Sequence, residues 1–70
     1  MYYESNNFEV DYYKGWLVIT DKIENKNECV QLTNQQGRNI TKNQFKSSLK
    51  TSGDLDKTCK VFMKLAAKQI

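Results

Sequence analysis

Seventy residues, with 39% hydrophobic and 27% charged side chains, three Gly and no Pro, have the composition of a small folded domain and not of a disordered tail or linker. A chain of this length buries only about 60% of the surface its unfolded form exposes, which excludes a deep cofactor cavity. The net charge of +3 is unevenly spread: residues 1–35 hold six acids against three lysines (−3), and residues 36–70 hold seven lysines and Arg38 against Asp54 and Asp56 (+6).

The opening Met1-Tyr2-Tyr3-Glu4-Ser5-Asn6-Asn7 is polar and lacks the basic and apolar regions of a secretory leader. No apolar run approaches the roughly 20 residues that span a bilayer. The expectation is a cytoplasmic protein with no targeting signal.

Phe8-Glu9-Val10-Asp11-Tyr12 alternates apolar and charged residues, which predicts a half-buried strand with Phe8, Val10 and Tyr12 inward. Tyr13-Lys14-Gly15 predicts a tight hairpin turn. Trp16-Leu17-Val18-Ile19-Thr20 is the longest run of strand-favouring residues, and it reads as a central strand covered on both faces, with Trp16 in the core. Asp21 to Glu28 is polar and reads as a loop or a loose hairpin end. Cys29-Val30-Gln31-Leu32-Thr33 reads as a third strand with Val30 and Leu32 on one side. Asn34-Gln35-Gln36-Gly37 has turn composition, and Arg38-Asn39-Ile40 adds a short fourth segment.

Thr41-Lys42-Asn43-Gln44 matches a capping box, with Ile40 and Phe45 set as a hydrophobic staple. It predicts a helix over 42–50, ended by Thr51-Ser52-Gly53. A second helix over 54–69, capped by Asp54 or Ser52, carries Leu55, Cys59, Phe62, Ala66 and Ile70 on one apolar face. That face is expected to lie across the sheet. The fold class is therefore α+β: one domain over 1–70, with an antiparallel meander of three or four strands (about 8–40) followed by two helices.

Catalysis finds little to work with. The chain has no His, so no Ser-His or Cys-His nucleophile can be assembled. Three isolated glycines make no phosphate-cradling loop, and two Cys without His cannot supply a four-ligand zinc site. The expectation is a non-enzyme with no cofactor and no metal. Cys29 and Cys59 read as reduced thiols packed in the core, the alternative being a disulfide or redox pair.

Three surface features remain for binding. Lys42, Lys46 and Lys50 repeat at helical spacing on the first helix. Lys57, Lys60, Lys64 and Lys68 fall within an arc of roughly 80° on the second, opposite its apolar face. Together with Arg38 they could neutralise phosphates, or they are simply the wet side of two helices. Among Tyr2, Tyr3, Tyr12 and Tyr13, the adjacent Tyr12 and Tyr13 point to opposite faces of a strand, which makes Tyr13 a contact candidate. Glu9, Asp11, Asp21, Glu24 and Glu28 form an acidic set that could meet a basic partner.

In size, lack of catalytic residues and Lys- and Asn-rich composition, the chain is similar in general character to small accessory proteins of phages and mobile elements, anti-CRISPR proteins among them. That likeness implies a binding protein that docks on a larger protein or nucleoprotein assembly and modulates or inhibits it. The alternative is a nucleic-acid-binding module that contacts phosphates through the lysine stripes. Membrane binding is not expected, because the apolar face of the second helix is needed to complete the core, and the sequence leaves monomer and homodimer open.

Overall fold

The structure, a computed structural model, describes residues 2–68. The elements are β1 (Tyr3–Glu4), β2 (Phe8–Tyr13), β3 (Trp16–Asp21), β4 (Lys26–Val30), α1 (Thr41–Ser52) and α2 (Leu55–Lys68). The strands pair antiparallel in the order β1-β2-β3-β4, a meander followed by the helical layer.

Strand alternation decides what is buried. Val10 pairs with Ile19, and Leu17 pairs with both Tyr12 and Val30. This register puts Phe8, Val10, Leu17, Ile19 and Val30 on the inner face, where all five are buried. Phe45 of α1 and Cys59, Phe62 and Ala66 of α2 close over them. The Phe45 and Phe62 rings meet edge to face at 5.1 Å, a geometry favoured by the aromatic quadrupole. No described helix is long and apolar enough to cross a membrane.

The β2–β3 turn is a two-residue loop in which Lys14 (φ 49°) and Gly15 (φ 86°) both take the left-handed conformation. That is the geometry that matches the twist of a hairpin. At the other end of the fold, Gly53 (φ 67°) ends α1 and donates its N–H to Leu49 O. Asp54 then caps α2 by accepting the Lys57 N–H at its Oδ1.

Several expectations change. The fourth strand is not Arg38–Ile40, which contributes only an isolated Thr33–Asn39 bridge. It is the two-residue β1 at the polar start, paired through Tyr3–Val10 and Glu4–Glu9. The third strand lies three residues earlier than Cys29–Thr33. The Asp21 carboxylate accepts the N–H groups of Ile23 and Glu24, which tightens the turn and lets pairing begin at Lys26. The sheet therefore covers Tyr3–Val30 instead of about 8–40. Helix α1 runs longer than 42–50, and Gln69 and Ile70, at the expected end of α2, lie outside the described residues.

The capping box does not form: Ile40 takes the N-cap position without a side-chain cap bond. Thr41 is instead fully buried inside the first turn. Its Oγ1 accepts the Leu32 N–H at 2.7 Å and lies 2.7 Å from Asn39 Oδ1, to which it donates. Asn39 Oδ1 also accepts the Thr41 N–H at 2.9 Å, while its Nδ2 donates to Gly15 O at 2.7 Å. A threonine that sequence pattern assigns to a local cap thus ties the chain after β4, the hairpin tip and the start of α1 together.

Candidate partner-binding surface

Both helices lie on the inner face, so the outer face of the sheet has no cover among the described residues. Trp16 is 43% exposed and Cys29 is exposed as well. Trp16 is not the core residue that the run of strand formers suggested, and Cys29, unlike Cys59, is not the packed core thiol expected of both cysteines. Two helices suffice to cover one face only, and period-two alternation then sends Trp16 and Val18 outward while Leu17 and Ile19 go in. Cys29, cross-strand from Val18, follows them.

The register defines this outer surface row by row. Tyr13 and Trp16 are a cross-strand pair beside the Lys14–Gly15 turn, and Tyr13 is 64% exposed. Next come Asp11, Val18 and Cys29, then Glu4, Glu9, Thr20 and Asn27. One corner is therefore aromatic, the middle row sets Val18 between Asp11 and Cys29, and the β1–β2 side carries three carboxylates. Two lysines from the adjoining turns lean onto it. Lys22 Nζ sits 2.6 Å from Glu4 Oε2 and 3.9 Å from Glu9 Oε1, and Lys14 Nζ lies 5.3 Å from the Tyr13 ring centroid.

The lysines of the helices have mixed surroundings. Lys42 lies over the rings of Tyr2 and Tyr12 at 5.5 and 5.6 Å, with Lys46 beside it at 5.9 Å from Tyr2. Lys60 and Lys64 border a shallow hollow that also includes Asp21, Glu24 and Lys26. Lys57 lines a groove between α1 and α2 with Ser47, Ser48, Thr51 and Val61. Lys50, Lys68 and Arg38 are exposed, Arg38 in the turn whose N–H groups bond to Asn34 Oδ1. The acidic set divides as well: Glu9 and Asp11 lie on the outer face, Asp21 and Glu24 at the β3–β4 turn, and Glu28 opposite Ile19 on the inner side.

Titratable groups elsewhere serve the structure. Burial, with the Asp56 carboxylate nearby, pushes the Cys59 thiol up to about 12, so it stays protonated and unreactive at neutral pH. Ser5 Oγ and Asn7 Nδ2 donate to the two Asp56 oxygens at 2.5 and 2.6 Å, and these bonds hold that carboxyl below its ordinary value. They fasten the β1–β2 loop to the first turn of α2. No group of three or more metal-ligating side chains occurs among the described residues.

Sequence reasoning singled out Tyr13 but missed Trp16, Val18 and Glu4. The signal for Trp16 was present, since a two-residue turn after Tyr13 sets Trp16 directly opposite and on the same face. For Glu4 there was none, because a two-residue strand has no periodicity to read. No protein-family model, curated protein or solved structure matches the chain.

Proposed function

We propose that this is a non-enzymatic cytoplasmic binding protein that docks on a larger protein or nucleoprotein assembly with the outer face of its sheet. The observation that carries this reading is the Tyr13–Trp16 pair, two large aromatic side chains left exposed side by side on a face with no helix over it. Tyr and Trp are enriched at the centres of protein interfaces, because they bring large contact area at little conformational cost. A strand pair also presents them rigidly, so little ordering entropy opposes binding. Modulation or inhibition of the assembly would follow from occupying its surface.

The test is capture from a lysate of the encoding organism, with protein and nucleic acid both identified by mass spectrometry and sequencing. The parent chain and a Tyr13→Ala/Trp16→Ala variant of equal helicity serve as baits. A partner retained by the parent and lost by the variant supports the reading. Equal capture by both would refute it.

A second reading rests on the exposure of Lys57, Lys60, Lys64 and Lys68 along α2, a stripe suited to phosphate contact. It predicts DNA binding that falls steeply with salt, with a slope reduced by about one for each lysine replaced by Gln. With Arg38 the chain's only arginine, such binding would carry little base specificity.

A further inference from the structure

We propose that the groove between α1 and α2 seats an acidic amphipathic helix of a protein partner, whose carboxylates meet Lys57 and Lys64 on either side of Val61. This surface belongs to the helical layer and not to the outer face of the sheet. It gives the α2 lysines a carboxylate-bearing occupant in place of phosphate. Lys57, Val61, Lys64 and Lys68 follow at i, i+4, i+7 and i+11, which sets one apolar and three basic side chains on a single helix face. Val61 is 48% exposed there. Beside it, the short side chains of Ser47, Ser48 and Thr51 on α1 leave a hollow of about 310 Å³, at the small end of the range for ligand pockets.

The cations of this face are not neutralised within the fold. Asp54 and Asp56 are the only acids after residue 35. Asp54 Oδ1 accepts the Lys57 N–H, and the Asp56 oxygens hold Ser5 and Asn7. No described carboxylate comes within ion-pair distance of Lys57, Lys64 or Lys68. Lys64 also borders the hollow with Asp21 and Glu24 but pairs with neither, and Lys60, which acts on the Asp56 carboxylate, stays outside the set. A helix carrying Glu, Leu and Glu at the same i, i+4, i+7 spacing presents both chemistries on one face. Its leucine enters the hollow against Val61, and its carboxylates reach the two ammonium groups. A nucleic-acid backbone satisfies the lysines but gives Val61 no apolar partner, and neither helix carries an arginine to strengthen phosphate contact.

The probe is a dye-labelled, alanine-rich helical peptide with Glu, Leu and Glu at that spacing, read by fluorescence anisotropy. One control replaces both Glu by Lys, a second replaces Leu by Ser, and labelled oligothymidylate stands for nucleic acid. Saturable binding of the Glu–Leu–Glu peptide is expected, weakened by salt, with no binding of the Lys control and weaker binding of the Ser control. A Lys57→Gln/Lys64→Gln variant should bind the peptide about tenfold more weakly, from two exposed ion contacts of a few-fold each. Val61→Ser, at a half-exposed position that spares the core, should weaken it several-fold through lost apolar contact. The Tyr13→Ala/Trp16→Ala variant should bind as the parent does, which separates this test from the capture experiment. All variants are compared at equal helicity by circular dichroism. No binding of the Glu–Leu–Glu peptide, equal binding of the Lys control, or unchanged affinity in either α2 variant would overturn the proposal. So would loss of peptide binding in the Tyr13→Ala/Trp16→Ala variant, which would move the peptide to the sheet. Oligothymidylate that binds as tightly as the peptide, and responds to the lysine variant but not to Val61→Ser, would overturn it in favour of phosphate.

Discussion

Thr41→Val tests the junction at the start of α1. Valine keeps the shape and the buried methyl group but removes the oxygen, so the Leu32 N–H loses its 2.7 Å acceptor and Asn39 Oδ1 loses one of two donors. Each net hydrogen bond is worth about 0.5–1.5 kcal/mol, and a stranded backbone N–H in a partly buried site adds about 1 kcal/mol more. The sum is about 2–4 kcal/mol, a large share of the few kcal/mol that hold a domain of this size together. Urea unfolding followed by circular dichroism should move its midpoint down by about 2 M or more at a slope near 1 kcal/mol/M, with the slope unchanged. Gln44→Ala is the control: a capping box would make it costly, whereas the observed geometry leaves it within about 0.5 kcal/mol of the parent. An unmoved midpoint for Thr41→Val, or an equal loss for Gln44→Ala, would refute this account of the helix start.

Phe62→Ala, at the centre of the inner layer, should cost about 3–5 kcal/mol and leave the chain largely unfolded at room temperature by circular dichroism. Trp16→Ala, on the uncovered face, should cost less than half as much and retain a cooperative melt. Gly15→Ala must hold a side chain at φ 86° with its Cβ 2.8 Å from Asn39 Nδ2, and a loss of about 1–2 kcal/mol in urea titration is expected. The Asp56 carboxyl is held below its ordinary value of 3.8, chiefly by Ser5 and then by Asn7. Its contribution to stability is therefore complete above that value and is lost as pH falls through the folded-state pKa. Asp56→Asn should accordingly be less stable than the parent at neutral pH, with the gap in urea midpoints narrowing below about pH 4.

Where local pattern and tertiary contact agreed, the sequence was easily read. Phe8, Val10 and Tyr12 alternate cleanly with charges, so β2 was legible, and the Lys14–Gly15 turn followed from its chemistry. Helix α2 was legible because Cys59, Phe62 and Ala66 repeat at helical spacing opposite lysines. Trp16 and Val18 misled because a continuous apolar run does not say how many faces are covered; the number of helices available to cover them does. Thr41 misled because its pattern suits a local cap, while the Leu32 backbone, nine residues away in sequence, offered its hydroxyl a buried partner. The candidate surface was legible as residue types but not as a place. Tyr13, Glu9 and Asp11 became neighbours of Trp16 and Glu4 only once the hairpin register was fixed.

The Asp56 contact to Ser5 and Asn7 also bears on the order of events in folding. Every strand pairs with its neighbour in sequence, so the sheet can zip up through short loops at little entropic cost. Asp56 meets Ser5 and Asn7 across 51 and 49 residues, a long closure whose entropic cost makes it expected to follow the meander. Contacts made after the rate-limiting step slow unfolding without hastening folding. A late clasp of this kind predicts that Asp56→Asn speeds unfolding and leaves the folding rate unchanged, as stopped-flow urea kinetics would read.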